Sequence, residues 1–382
     1  MRSLRVLITN NSLRGRTGSE LYARDIALGL LERGHTPILY APRAGELARE
    51  LRRETVPVVE DLAQVGAAPD LIHGQHHPET MTALLHFPET PAVFFCHGWL
   101  PWDERPPRFP RVLRYVAVDD TCRDRLLWEH AVPAERVRVI LNFVDLERFR
   151  PRPPLPPRPR RALLFSNYAD EGTHLGAVRE ACARAGIELE VVGRGVGRVT
   201  REPEKLLGGF DLVFAKGRSA LEALAVGAAV VLCDASGSGP LVTAAELPRL
   251  RRLNFGVRAL AGELRPEALA AQLARYDAGD AAEVSRLIRA GAGRAEAVEE
   301  VIELYREVVA EHAARPRDEA AEWRAAADYL RDLLADVRRQ HEQIERREGD
   351  IAGSTAVRLT RRFLSVPVVG PLARAVARRL AG

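Results

Sequence analysis

The chain has 382 residues, 46% hydrophobic and 28% charged, with a net charge of +4 and a pI near 9.0. That length suits two ordinary domains plus an appendage, and the balance excludes a disordered chain. The basic excess is local: from Ile351 onward there are six arginines and no acid, so the remaining 350 residues sum to −2, which does not support a nucleic-acid-binding body.

Cys96, Cys122, Cys182 and Cys233 are far apart and form no paired motif, which argues against a zinc site and a disulfide framework and makes the cytosol the natural compartment. A strand-like run starts at Leu4, so no signal peptide is expected. No apolar stretch reaches the roughly 18 residues of a membrane span.

In chain order, Leu4–Thr9 reads as a buried strand, followed by the loop NNSLRGRTGS and a helix from about Gly18 to Arg33. TPILYAP, PDLIHG, PAVFFCHG and RYVAVD are further short apolar runs, most of them separated by helical segments. This alternation predicts a parallel sheet covered on both faces. Pro151–Arg160, with six prolines in ten residues, is a stiff extended linker. The alternation then restarts with RALLFS, IELEVVG, FDLVFA and AAVVLC, and with helices around Thr173–Ala185 and Ser219–Val226. The fold class is therefore α/β, with two Rossmann-like doubly wound domains. The expected divisions are 1–150, a linker at 151–160, a second domain at 161–292, a closing helix at 293–312, a coiled-coil-like helix at 313–350 and a basic amphipathic tail at 351–382.

Trp323, Ala327, Leu330, Leu334, Val337, His341 and Ile344 follow the 4-3 spacing of a heptad seam. The seam suits a homo-oligomer through 319–345; the alternative is a lone amphipathic helix packed on its own body. Residues 354–382 carry apolar side chains and arginines with no acid, as an interfacial anchor on an anionic membrane surface requires. The rival reading is a tail packed on the protein or on a partner.

Several stretches could carry chemistry. Gly18 and Ser19 stand at a predicted helix start, where free N–H groups attract an anion; Ser19 as a plain helix cap is the alternative. Gly193 ends a strand where backbone can approach a base or phosphate, and Arg194 beside it is either a phosphate contact or a solvated surface residue. Glu222 is the one carboxylate in the apolar run after Asp211. About one turn into a helix at the carboxyl end of a strand, it can accept two hydroxyl hydrogen bonds, as a ribose diol offers. The alternative is a helix-surface glutamate. His97, at a strand end, can bond a sugar hydroxyl or move a proton near neutral pH, unless it is a satisfied structural histidine. His73, His76 and His77 hint at a metal site, but GQHHPE reads as a turn without a partner carboxylate pattern, and no metal is expected.

Taken in order, these motifs resemble the group-1 glycosyltransferase family, whose members are mostly retaining, across about residues 4–310. RVLITNNSLRGRTGSELYARDIALGLLERGH is similar to the family's opening strand, Gly-Gly-x-Glu loop and helix. PDLIHGQHH and FFCHGW resemble its histidine-bearing strand ends, and VRVILNFVDLERFRP its entry to the linker, with Phe143 in place of a glycine. FDLVFAKGRSALEALAVGAAVVL resembles its nucleotide-sugar motif.

The resemblance implies the GT-B architecture and sugar transfer from a nucleotide-sugar donor to a glycan or lipid-linked acceptor. It implies no metal and no cofactor beyond that donor; the cysteine pattern and the basic tail suit a location in the cytoplasm or at the inner membrane face. The resemblance implies Glu222 on the ribose, and His97 and Glu20 facing sugar and acceptor. Two departures stand out. Phe214 occupies the position eight before Glu222 where the family has a second glutamate, and LLFSNYADEGTH lacks the family's Arg and Lys for the pyrophosphate. Lys216 and Arg218, with the backbone of Gly217–Ser219, are the expected substitutes. The alternative from another class is a GT-B scaffold without catalysis in a glycan-synthesis complex; a sugar-nucleotide epimerase is a third reading.

Overall fold

The computed structural model describes residues 2–353. The apolar runs form two sheets. The first has seven parallel strands: β1 (Arg5–Thr9), β2 (Thr36–Tyr40), β3 (Val58–Val59), β4 (Leu71–Gln75), β5 (Ala92–Cys96), β6 (Val112–Ala117) and β7 (Val137–Val139), in the order β3-β2-β1-β4-β5-β6-β7. The second has β8 (Arg161–Phe165), β9 (Glu188–Val192), β10 (Leu212–Ala215), β11 (Ala229–Asp234) and β12 (Gly237–Leu241), in the order β12-β11-β10-β8-β9. All pair in parallel except β12.

The helices are α1 (Gly18–Glu32), α2 (Glu46–Arg53), α3 (His77–His86), α4 (Asp120–Asp124), α5 (Leu175–Arg184), α6 (Pro203–Leu207), α7 (Gly217–Val226), α8 (Leu247–Arg252), α9 (Pro266–Leu273), α10 (Ala278–Gly291), α11 (Arg294–Ala313) and α12 (Glu319–Gly353). The α/β character read from the sequence is what the chain adopts. β3, β7 and β12 were not legible. β3 and β7 are only two and three residues long, and β12 is GSGPL, a turn-like composition. Its glycines are dictated by close backbone approach: a Cβ at Gly239 would lie 2.5 Å from the carbonyl oxygen of Ala259.

The chain divides into two compact units. One, Met1–Pro107 with Arg111–Arg317, holds both sheets. Its strands are buried on both faces, as parallel sheets require; Val6, Leu7 and Ile8 are all fully buried. The Pro-rich segment leads into the second sheet and is fastened by Asp211, which takes Arg152 Nη2 at 3.0 Å and the N–H groups of Arg160 and Arg161. After α10 the chain returns to the first sheet. Val298, Val301, Ile302, Tyr305 and Val308 of α11 join the same core as Ile8, Ile26 and Phe95. The second unit is Arg108–Pro110 with the residues from Asp318 on. In it α12 is one helix of 35 residues, with Trp323, Leu330, Leu334, Val337 and Ile344 exposed along it. No helix among the described residues is long and apolar enough to cross a membrane. The basic tail read over 354–382 lies outside the described residues.

Helix α1 meets α11 at Gly29, where an added Cβ would stand 2.6 Å from Val298 Cγ2. Gly29→Val should therefore overpack this contact and cost about 1–3 kcal/mol of stability, read as a lower urea midpoint. An unchanged midpoint would show that the two helices separate freely.

Candidate functional site

Strand β1 feeds α1 through the loop 10–17, and β10 feeds α7 through Lys216 alone. The two helix starts line one cleft, with a cavity of about 330 Å³ bordered by Gly18 and Leu21 on one side and by Arg218, Ser219 and Glu222 on the other. Six arginines line it: Arg14, Arg16, Arg148, Arg194, Arg201 and Arg218. A basic cleft at the carboxyl ends of parallel strands is built to take an anionic ligand.

Glu222 lies in this wall, one turn into α7, and is 5% exposed. It is not a free surface residue. Arg218 Nε donates to its Oε1 at 2.7 Å, and Arg218 Nη2 reaches across to Asp25 of α1 at 2.5 Å. Asp25, in turn, accepts from Arg24 at 2.8 Å. Burial pushes the Asp25 carboxyl up, but Arg218 and Arg24 overcome it and hold it below its usual range. Glu222 shares the same cation and fares worse: burial dominates and its carboxyl is raised. Among the described residues Glu222 takes one hydrogen bond, from Arg218 to Oε1, and a pair of ligand hydroxyls could bond the rest of the carboxylate.

The cations expected to grip phosphate are engaged elsewhere. Arg218 is committed as described, and Lys216 pairs with the buried Asp234 while lying 5.5 Å from the Tyr168 ring centroid. The N–H of Gly217 donates to the Phe255 carbonyl at 2.8 Å, and Arg218 and Ser219, in the first turn of α7, border the cleft. Phe214 is fully buried within β10. Eight residues back from Glu222 the chain is inside the sheet, so the count that places a second acid in the resembling family lands here in the core.

At the other strand ends, the glycine of Gly193 answers to packing. A Cβ there would lie 1.8 Å from the Ser166 carbonyl oxygen. Asn167 Oδ1 accepts from the N–H of Arg194 at 3.3 Å, and the Asn167 carbonyl accepts from the N–H of Gly195 at 3.2 Å. The loop after β9 is thus held on the loop after β8, and it presents the exposed Arg194 to the cleft.

On α1 the cap is Thr17, not Ser19. The Glu20 carboxylate takes the N–H of Thr17 at 2.8 Å, its hydroxyl at 2.9 Å and the N–H of Gly15 at 3.0 Å. This capping role accounts for the acid at position 20 and leaves it little capacity for an acceptor sugar. Gly18 and Ser19 stay at the helix start, bordering the cleft and the neighbouring cavity respectively.

That second cavity, about 580 Å³, adjoins the first along Arg14, Gly15, Thr17 and Arg194 and is floored by His76, Asp103 and Glu104. His97 lines neither cavity. It packs edge-on to Tyr22 at 4.6 Å, its Nε2 is shielded without a partner, and burial together with His76 lowers it to about 3. It is a neutral imidazole at pH 7, so proton transfer near neutrality does not fall to it. His73 is fully buried, bonded to Tyr305 and Gln75 and stacked on Phe95; His76 precedes α3 and His77 opens it, so the expected turn is a strand end and a helix start.

A group lining this cavity that does titrate near neutrality is Glu104, which the sequence did not single out. Burial pushes its carboxyl up to about 8; the N–H of His97, donating to Oε2 at 2.7 Å, only partly offsets this. A carboxyl raised in the folded state adds stability that is fully present below its ordinary value near 4.5 and is lost as pH rises through about 8. Glu104→Gln keeps an acceptor for the His97 N–H and removes that loss. Its stability relative to the parent should therefore rise between pH 5 and 8.5 in urea titrations; a pH-independent difference would return Glu104 to ordinary ionisation.

Residues 16–148 match the family model described as Glycosyltransferase Family 4. No curated protein sequence matches the chain. Among solved structures it is similar to the glycosyltransferase from Rickettsia africae ESF-5, with TM-score 0.59 and 15% identity over 81% of this chain and 99% of that one. It is similar also to Anabaena HepE, solved in complex with UDP-glucose, with TM-score 0.55 and 16% identity over 80% of this chain and 100% of that one. HepE in complex with UDP gives TM-score 0.56 at 14% identity over the same shares. These likenesses establish the fold, two Rossmann-like domains of the GT-B kind.

Proposed function

We propose that this chain, a glycosyltransferase of the GT-B fold, moves a sugar from a nucleotide-sugar donor bound in the cleft between α1 and α7 to a glycan or lipid-linked acceptor. The observation that carries the reading is Glu222: a buried carboxylate at a helix start in a basic cleft, holding one hydrogen bond, from Arg218. A ribose diol supplies two donors, and the arginine-lined wall beside it suits the diphosphate. The family match over the first domain and the UDP-glucose bound to HepE support the same chemistry. As the glycosidic bond breaks, negative charge develops on the departing diphosphate. Cations and first-turn N–H groups stabilise that charge most where it is greatest.

The 580 Å³ cavity of the first domain, adjoining the cleft, suits the acceptor. Its floor of Asp103, Glu104 and His76 offers hydrogen-bonding partners for sugar hydroxyls. The exposed seam on α12 supports self-association through 319–345, which sedimentation of the full chain would measure.

UDP is the first ligand to test by calorimetry, with GDP, dTDP and ADP beside it. Glu222→Ala should weaken the nucleotide that binds by about 1.5–3 kcal/mol, the range for hydrogen bonds to a charged group. Equal affinity in a folded variant would return Glu222 to a purely structural part in the ion bridge. A scaffold without donor chemistry would bind none of the four.

A further inference from the structure

We infer that Arg14 of the first domain and Arg194 of the second form a two-sided clamp for the diphosphate, replacing the cations missing from the loop after β8. The inference rests on the donor-site reading above and assigns its phosphate contacts.

The arginines of the cleft separate by their partners. Arg16 is paired with Glu50, Arg148 with Glu204 at 2.7 Å, Arg201 with Glu46 at 2.7 Å, and Arg218 with Asp25 and Glu222. Lys216, at the same helix start, is paired with Asp234. A phosphate drawing on any of these must first break an existing ion pair and leave a carboxylate facing the anion. Arg14 and Arg194 have no acidic partner among the described residues. Both border the nucleotide cleft and the adjoining cavity, so they stand at the junction, where a diphosphate linking nucleoside to sugar has to lie.

The two guanidinium-bearing loops are also held close together. A Cβ added at Gly15, the residue after Arg14, would lie 2.7 Å from Arg194 Nη2. The bare glycine is what lets the Arg194 side chain lie against the first-domain loop. On the other side Asn167 fixes the backbone of Arg194. The strand end that carries no cation of its own thus positions one from the next strand. Two planar, permanently charged groups approaching from opposite domains match a diphosphate, whose charges need compensation on both phosphoryl groups.

The test uses full-length protein and isothermal calorimetry with UDP, GDP, dTDP and ADP, each against its nucleoside, and with inorganic pyrophosphate as competitor. Arg14→Ala and Arg194→Ala should each weaken the diphosphate that binds by tenfold or more, leave its nucleoside unchanged, and blunt competition by pyrophosphate. Arg14→Lys and Arg194→Lys should recover part of the loss, and Lys216→Ala should move diphosphate affinity less than threefold. Both side chains are exposed, so an unchanged melting temperature checks each fold. If a diphosphate binds and neither arginine variant alters it, or if Lys216→Ala produces the loss instead, the clamp is overturned while the donor site stands. If no nucleotide and no nucleoside binds the parent protein, the donor-site reading falls and takes the clamp with it.

Discussion

The site depends on one buried cation. Arg218 extends from the first turn of α7 between Asp25 of the first domain and Glu222 of the second, so a single guanidinium links the two halves and orients the acid proposed to hold ribose. Removing one partner from such a buried group typically costs about 3–5 kcal/mol, because a charge is left behind uncompensated. That makes the bridge structural. It is also uneven, since Glu222 takes a single hydrogen bond, from Arg218, whereas Asp25 takes both Arg218 and Arg24. Glu222 therefore stays underpaired, which is the condition for a binding group rather than a finished ion pair.

How much of this was legible follows from which residues carry periodic or local signals. The strands of both sheets and the helices between them were readable because doubly buried strands are continuous apolar runs. Glu222 was readable for a related reason: an acid inside such a run demands an account. Asp25 gives the same signal, flanked on α1 by the buried Tyr22, Ala23, Ile26 and Ala27, and it could have been found by the same reasoning. Glu104 could not. Its raised carboxyl comes from burial, with Asp103 beside it, against the opposing hydrogen bond from the His97 backbone, a juxtaposition of a strand end and a separate loop that no local pattern announces.

Pairing was the least legible property. Lys216 and Arg218 looked like phosphate ligands because they precede Glu222 in sequence. Their charges are cancelled by Asp234, Asp25 and Glu222, of which only Glu222 is a sequence neighbour, four residues on and on the same helix face. Glu20 misleads in the same way, since its spacing from Thr17 makes it a capping residue before it can be anything else. A charged residue near a ligand motif is informative only once its counter-ion is known.

The connection between β10 and α7 explains why the charges are arranged differently here from the pattern the sequence resembles. With Lys216 alone between strand and helix, the turn has no length in which to carry a second acid into the cleft, and the N–H of Gly217 is used to seat the turn on Phe255. The second sheet then contributes Glu222 and the bridging arginine from this element. Any free cation has to come from a neighbouring loop. The loop after β8 supplies Asn167, whose carboxamide cannot neutralise a phosphate but can hold the loop after β9, where Arg194 stands. A short turn at one strand end is thus matched by an outward-reaching arginine at another. Arg14 on the facing loop gives that arginine a counterpart across the cleft, at the junction of the two cavities where donor and acceptor would meet.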